Sequence, residues 1–171
     1  HWAHVKNKGC DSWYEPETLW HKNWKLIFGK ENSEIIISKD GVRHIADVLT
    51  KDEIVIELQN SPIQKSIIRK RESFYGERML WVINGSEFKL NFSTECHQLS
   101  YRDFYRFSEF STLDYASMNS KINQNKYDFK WSHPRKSWGD VQRNVFIDFG
   151  DDQLFWVTEG MGTNSGLGKQ I

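Results

Sequence analysis

The sequence predicts an α+β fold built on a mixed sheet. Three observations lead there. Apolar residues recur at helical spacing from Trp20 to Phe28, three short strand patterns follow, and a basic helix then runs into the continuous apolar stretch Met79–Ile83. Helix, three-strand meander, helix and buried strand is the order these patterns imply.

The first helix is expected from Glu15 or Pro16 to about Phe28. Pro16 suits a first helical position, Glu17 suits the positive N-terminal end, and Gly29 is a natural stop. Trp20, Trp24, Ile27 and Phe28 share a stripe that should pack on a sheet. Glu17, His21 and Lys25, four apart, make a polar row beside it. That row is either part of a site or a solvated ladder worth ~0.2–0.5 kcal/mol per pair.

Ser33–Ser38 reads as a strand, Lys39-Asp40-Gly41 as a turn, and Val42–Thr50 and Ile54–Gln59 as the next two strands. Ser61, Pro62 and Gln64 then look like a capping box opening a helix that ends at Gly76. This helix should bury Ile63, Ile67 and Phe74, with Lys65, Arg69, Lys70 and Arg71 on its other sides. Met79–Ile83 has the unbroken apolarity of a strand covered on both faces, so a parallel crossover is the natural connection.

Residues 86–130 are polar with scattered aromatics and show no clean period, and either helix or insertion remains open. Strand patterns return at Tyr127–Trp131, Asn144–Phe149 and Gln153–Thr158, the last two joined by a hairpin turn at Gly150-Asp151-Asp152. Between them, WSHPRKSWGDVQR interleaves Arg135, Lys136 and Arg143 with Trp131 and Trp138. Such a loop is either a nucleic-acid surface, through phosphate contacts and stacking, or a basic loop whose tryptophans anchor it in the core. The terminal GMGTNSGLGKQI fails the spacing of a phosphate loop and reads as a flexible tail.

The 171 residues suffice for one domain with a real core. Lys plus Arg and Asp plus Glu both number 23, so net charge is zero and a nucleic-acid partner would have to be recognised by a local patch. Two cysteines, Cys10 and Cys96, make no disulfide framework and suit a reducing, cytoplasmic setting. No apolar run reaches the ~20 residues of a membrane span, and no signal peptide is visible. A chain beginning at His1 without Met reads as a fragment or processed product.

The chemistry centres on RHIADVLTKDEIVIELQNSPIQ, residues 43–64. Asp47 and Glu57 stand where core strands would prefer apolar residues, and Gln59 shares the Glu57 face. Paired as a hairpin, the two strands bring Asp47 to Glu57. Converging carboxylates are costly unless they hold a cation or a proton. The alternative is a solvated rim, with Asp47 paired to Arg43 or His44. At the N-terminus, His1, His4 and Cys10 are zinc-ligand types, either the tail of a zinc-binding knuckle or two solvated histidines.

The D-x9-E-x-Q pattern on this element order resembles the PD-(D/E)xK nuclease superfamily, whose core is restriction-endonuclease-like. HIADV, IELQNSPI, the basic helix and MLWVING are similar, more narrowly, to the competence protein CoiA-like nuclease family. HWAH is similar to the HFAH closing that family's zinc-binding segment, and ETLWHKNWK resembles its first helix; the resemblance covers about residues 1–85. It implies Asp47 and Glu57 as Mg²⁺ (or Mn²⁺) ligands with the Leu58 carbonyl as a third oxygen, and Zn²⁺ at His1 and His4. Glu17 resembles a first-helix acid of the site, with His21 and Lys25 beside it. Gln59 stands where most superfamily members have Lys, as it does in the CoiA-like family. Gln can hydrogen-bond but cannot offset charge, so Lys65, Arg69 or Lys25 would have to supply it.

The chain then divides into a zinc-segment tail (1–12), a nuclease core (13–90) and a C-terminal extension packed on it (91–171). The implied function is metal-dependent hydrolysis of DNA, with Lys65, Arg69, Arg135 and Lys136 as DNA contacts, no membrane partner, and a homo-oligomer compatible. The main rival is a catalytically weak or inactive DNA-binding or recombination accessory module with the same fold. A Trp-rich protein- or glycan-binding domain is the third reading.

Overall fold

The computed structural model describes Trp13, residues 16–96 and residues 126–171. The expected zinc ligands His1, His4 and Cys10 lie outside the described residues. The first helix, α1 (Leu19–Phe28), starts later than its proline suggests. Thr18 is its N-cap, because the Thr18 hydroxyl accepts the His21 backbone N–H while His21 Nδ1 accepts the Thr18 N–H. That reciprocal pair satisfies two otherwise orphaned donors, leaving Pro16 ahead of the helix. Gly29 ends α1 with φ +82°, as expected of a glycine stop.

The meander follows as β1 (Ser33–Lys39), β2 (Val42–Leu49) and β3 (Val55–Gln59), each antiparallel to the next. Helix α2 (Lys65–Tyr75) then leads to β4 (Met79–Asn84), which lies parallel to β3. The Ser61 capping box does not form. Gln59 Nε2 donates to the Ser61 carbonyl at 3.0 Å, the extended residue Gln64 takes the N-cap position, and α2 begins without a side-chain cap. Ile63 is buried just before the helix, and within it the buried stripe is Ile68, Arg71 and Glu72, with Ile67 and Phe74 only partly covered. Glu72 accepts the Trp81 indole N–H and the backbone N–H groups of Gln142 and Arg143, tying α2 to a distant loop.

The rest of the described chain extends the same sheet. Strands β5 (Phe92–Cys96), β6 (Lys126–Trp131), β7 (Asn144–Asp148), β8 (Leu154–Glu159) and β9 (Ser165–Gln170) complete the order β1-β2-β3-β4-β7-β8-β9-β6-β5. The centre, β3-β4-β7, is parallel and the flanks are antiparallel. The β7–β8 hairpin forms as its turn predicts. The expected flexible tail is instead β9, held between β8 and β6. Its glycines are packing sites, since a Cβ on Gly168 would come within 2.2 Å of the Phe155 ring.

Two apolar layers sandwich the central strands. On one face Val48, Ile56, Leu58 and Val82 meet Trp20, Trp24 and Phe28 of α1. The other holds Ile68, Trp81, Trp131, Trp138 and Ile147, with Trp81 edge-on to Trp138 at 5.1 Å. Each fully buried tryptophan removes ~150–250 Å² from water, roughly 4–6 kcal/mol. Asp148 Oδ2 accepts both the Trp20 and Trp24 indole N–H groups, at 2.8 and 2.7 Å, fixing α1 across the sheet to β7. No described helix is long and apolar enough to cross a membrane.

Candidate active site

The β2–β3 ladder is short. It pairs Val48 with Ile56 and Leu49 with Val55, and then the strands part. Where the next rung would fall, Asp47 Oδ2 accepts the Leu58 N–H at 2.9 Å. A side chain thus replaces a backbone partner, and a cavity of about 300 Å³ opens beside it.

Asp47, Glu57 and Leu58 line this cavity together with His21 and Lys25 of α1 and Glu17 just ahead of it. The polar row Glu17–His21–Lys25 therefore faces the same cavity as the two acids. His21 is buried; its Nδ1 accepts from Thr18, so the ring hydrogen lies on Nε2 and is donated to the Leu58 carbonyl at 3.2 Å. Lys25 Nζ lies 3.1 Å from Glu17, 3.2 Å from Glu34 and 3.7 Å from Asp47. Burial alone would lower its pKa, but the three carboxylates outweigh burial and raise it.

Glu57 is almost fully buried and its pKa is pushed up to about 8, chiefly by burial and then by the like charge of Asp47. Arg71 and Tyr75 pull the other way without cancelling the effect. Burial also raises Asp47, against the Leu58 N–H, Lys25, His21 and Arg71. Arg71 Nη1 bonds Glu57 Oε2 at 2.8 Å and Nη2 bonds the Trp13 carbonyl at 2.8 Å. The other carboxylate oxygen, Oε1, is buried and, among the described residues, accepts no well-formed hydrogen bond.

Three residues of the site escape the sequence reading. Arg71 sits in a basic run that reads as solvated surface, yet Ile68, Arg71, Glu72 and Tyr75 follow the i, i+3, i+4, i+7 spacing of a buried stripe. Glu34 lies opposite Asp47 in the β1–β2 register and has φ +55°, rare for a residue with a side chain. Trp13 lines the cavity and stacks on His44.

Other expected site residues fall elsewhere. Gln59 is fully buried, turned to Ser61, and does not line the cavity. Lys65 and Arg69 both pair with Asp140. The loop around Arg135 takes its core-anchored form: Trp131 and Trp138 are buried, so neither is a stacking platform. Arg135 packs over Phe88 and faces Glu87, and Arg143 donates to the Gly76 carbonyl at the end of α2. Of that loop's expected DNA contacts, Lys136 is exposed.

Among the described residues, no group of three or more His, Cys, Asp or Glu side chains is arranged to hold a metal ion. The oxygens of Asp47, Glu57 and the Leu58 carbonyl are nevertheless of the hard type that Mg²⁺ and Mn²⁺ take, and Glu57 Oε1 is buried with acceptor capacity unused. The donor chemistry fits such an ion. In comparisons with known proteins, the chain matches no family model, no curated protein and no solved structure.

Proposed function

We propose that this chain is a divalent-metal-dependent nuclease that hydrolyses DNA phosphodiester bonds on a PD-(D/E)xK-like core. The observation that carries the proposal is Glu57, buried beside Asp47 at a cavity, with its pKa pushed up to about 8 and one oxygen without a well-formed hydrogen bond among the described residues. A fold does not leave a carboxylate so placed without cost, and a cation there removes the penalty. The helix–meander–helix–strand order around it supports the reading.

Asp47, Glu57 and the Leu58 carbonyl would hold Mg²⁺ or Mn²⁺. The ion, when bound, supplies Lewis-acid polarisation of a phosphoryl oxygen and a more acidic water. In the reaction a water oxygen bonds to phosphorus as the water gives up a proton to solvent, the ester P–O bond breaks, and the departing sugar oxygen takes up a proton from solvent. His21 fixes the Leu58 carbonyl in place. Lys25, beside Asp47, is the cation suited to offset charge on the phosphate, taking the part that Gln59 cannot. Lys65 and Arg69 are suited to phosphates farther along the strand, in competition with Asp140.

A second reading, a DNA-binding accessory module without catalysis, is favoured by one observation. Arg71 already occupies one oxygen of Glu57, at 2.8 Å, where a metal ligand would be free to take an ion. Cleavage of single-stranded, linear duplex and supercoiled DNA with Mg²⁺, Mn²⁺ or EDTA separates the two. The nuclease should need metal and lose activity in Asp47→Ala, Glu57→Ala; metal-dependent cleavage undiminished in that double variant sinks the proposal. Binding without cleavage under every condition establishes the accessory module.

A further inference from the structure

We infer that the cavity takes an unpaired stretch of DNA, with a base lying on an apolar ledge made by Ile36 and Ile45 at its mouth. The chemistry rests on the nuclease reading, but the ledge is a property of the β1–β2 hairpin itself. Ile36 and Ile45 are paired in register, 61% and 45% exposed, and both line the cavity that holds Asp47. An outward face of an edge hairpin ordinarily carries polar side chains. Here the described residues leave two large aliphatic groups largely uncovered beside a charged site.

Alternation along a strand puts Asp47, Ile45 and Arg43 on one face of β2, with Glu34, Ile36 and Ser38 alongside on β1. Read outward from the site, the hairpin presents an acidic pair, an apolar pair and then the exposed Arg43 beside Ser38, in steps of about 6.6–6.8 Å. A nucleotide strand presents complementary features in the same sequence: a phosphate at the acids and their cation, an apolar base face, then the next phosphate. Trp13 adds an aromatic ring to the cavity wall.

Charge argues against uninterrupted duplex. Duplex affinity comes from neutralising many phosphates, and the chain's net charge is zero. Lys25 and Arg71, which line the cavity, are already engaged, Lys25 by three carboxylates and Arg71 by Glu57, which leaves Arg43 at the end of the ledge. Stacked, paired bases cannot reach an apolar ledge, whereas unpaired ones can, and such contact is tolerant of sequence.

The test uses the 171-residue chain with a fluorescein-labelled oligothymidylate and a blunt duplex of equal length. Anisotropy in Ca²⁺ reads binding, and gel assays in Mg²⁺ or Mn²⁺ read cleavage. The single strand should bind at least about tenfold tighter than the duplex, and Ile36→Ser, Ile45→Ser should weaken single-strand binding about tenfold. Ile36→Leu, Ile45→Leu should keep it, which separates a lost apolar contact from a damaged fold. Equal affinity for the duplex, no effect of the serine pair, or no DNA binding because the ledge serves a protein partner would each overturn the inference. If ledge-dependent single-strand binding is found with no cleavage, the inference stands and the nuclease reading falls.

Discussion

Arg71 Nη1 lies 2.8 Å from Glu57 Oε2, and the two side chains are 6% and 3% exposed. The guanidinium also sits over Trp13 and Trp81, 5.6 and 5.8 Å from the ring centroids. A buried pair of this kind adds little net stability, yet removing one partner strands the other. Arg71→Met should therefore destabilise the fold by about 3–5 kcal/mol in urea unfolding. Adding Glu57→Gln should recover part of that loss, and a strictly additive double variant would contradict the pairing.

Glu57 also sets a pH dependence. Its folded pKa of about 8 lies above the ordinary 4.5, so the folded chain holds a proton that the unfolded chain releases. That contribution is fully present below about pH 4.5 and is lost as pH rises through about 8, and Asp47 shifts in the same direction. In EDTA, Tm should fall from acidic to mildly alkaline pH, with a shallower slope in Glu57→Gln. Divalent-cation affinity should rise across the same window, because the proton competes with the metal. Identical slopes in the two proteins would remove Glu57 as the source.

Substitution of Lys25 would separate metal binding from catalysis under the proposed function. Its ammonium occupies the space between Glu17, Glu34 and Asp47. Lys25→Met should tighten Mg²⁺ binding in calorimetry, since a competing cation is gone. Cleavage should drop roughly 10²-fold, the usual loss for one electrostatic donor at a reacting phosphate. Weaker metal binding in this variant would show that Lys25 organises the carboxylates rather than competing with an ion.

Asp148 of β7 anchors the helix that carries His21 and Lys25. Asp148→Ala leaves two indole N–H groups of α1 without their acceptor and should cost about 2–3 kcal/mol. The Trp20 and Trp24 emission should shift, and cleavage should fall with the loosened placement of His21 and Lys25. Asp148→Asn, which keeps an acceptor, should lose less than half as much stability.

Gly168→Ala tests the role of the terminal strand. The added methyl would meet the Phe155 ring and the Trp156 carbonyl, at 2.2 and 2.8 Å. Destabilisation of about 1–3 kcal/mol is expected from overpacking. A neutral substitution would mean that β9 is not seated as described.

The first half of the chain was largely legible because its signals are local. Gly29 and Gly76 stop their helices as expected, and Met79–Ile83 is the parallel strand its apolarity requires. Helix starts were less legible, because Pro16 and Ser61 are permitted at a first turn without being obliged to form one. Thr18 and Gln64 took those places once His21 and Gln59 had found their partners. The terminal glycines look like flexibility in a one-dimensional reading; in the sheet they are positions where a neighbouring ring leaves no room for a Cβ.

By itself the sequence determined the elements from the first helix to the strand at Met79, and it singled out Asp47, Glu57 and the row Glu17–His21–Lys25, which the fold gathers at one cavity. These follow from periodicities of 2 and 3.6 and from acids standing in apolar runs, properties of neighbouring residues. Only the tertiary structure decided that β2 parts from β3 at Asp47, that Arg71 reaches Glu57, that Gln59 turns away, and that β7 joins β4 and anchors α1 through Asp148. Each depends on groups distant in the chain, where the cost of a buried charge or an unpaired N–H is met by whichever partner the packing delivers.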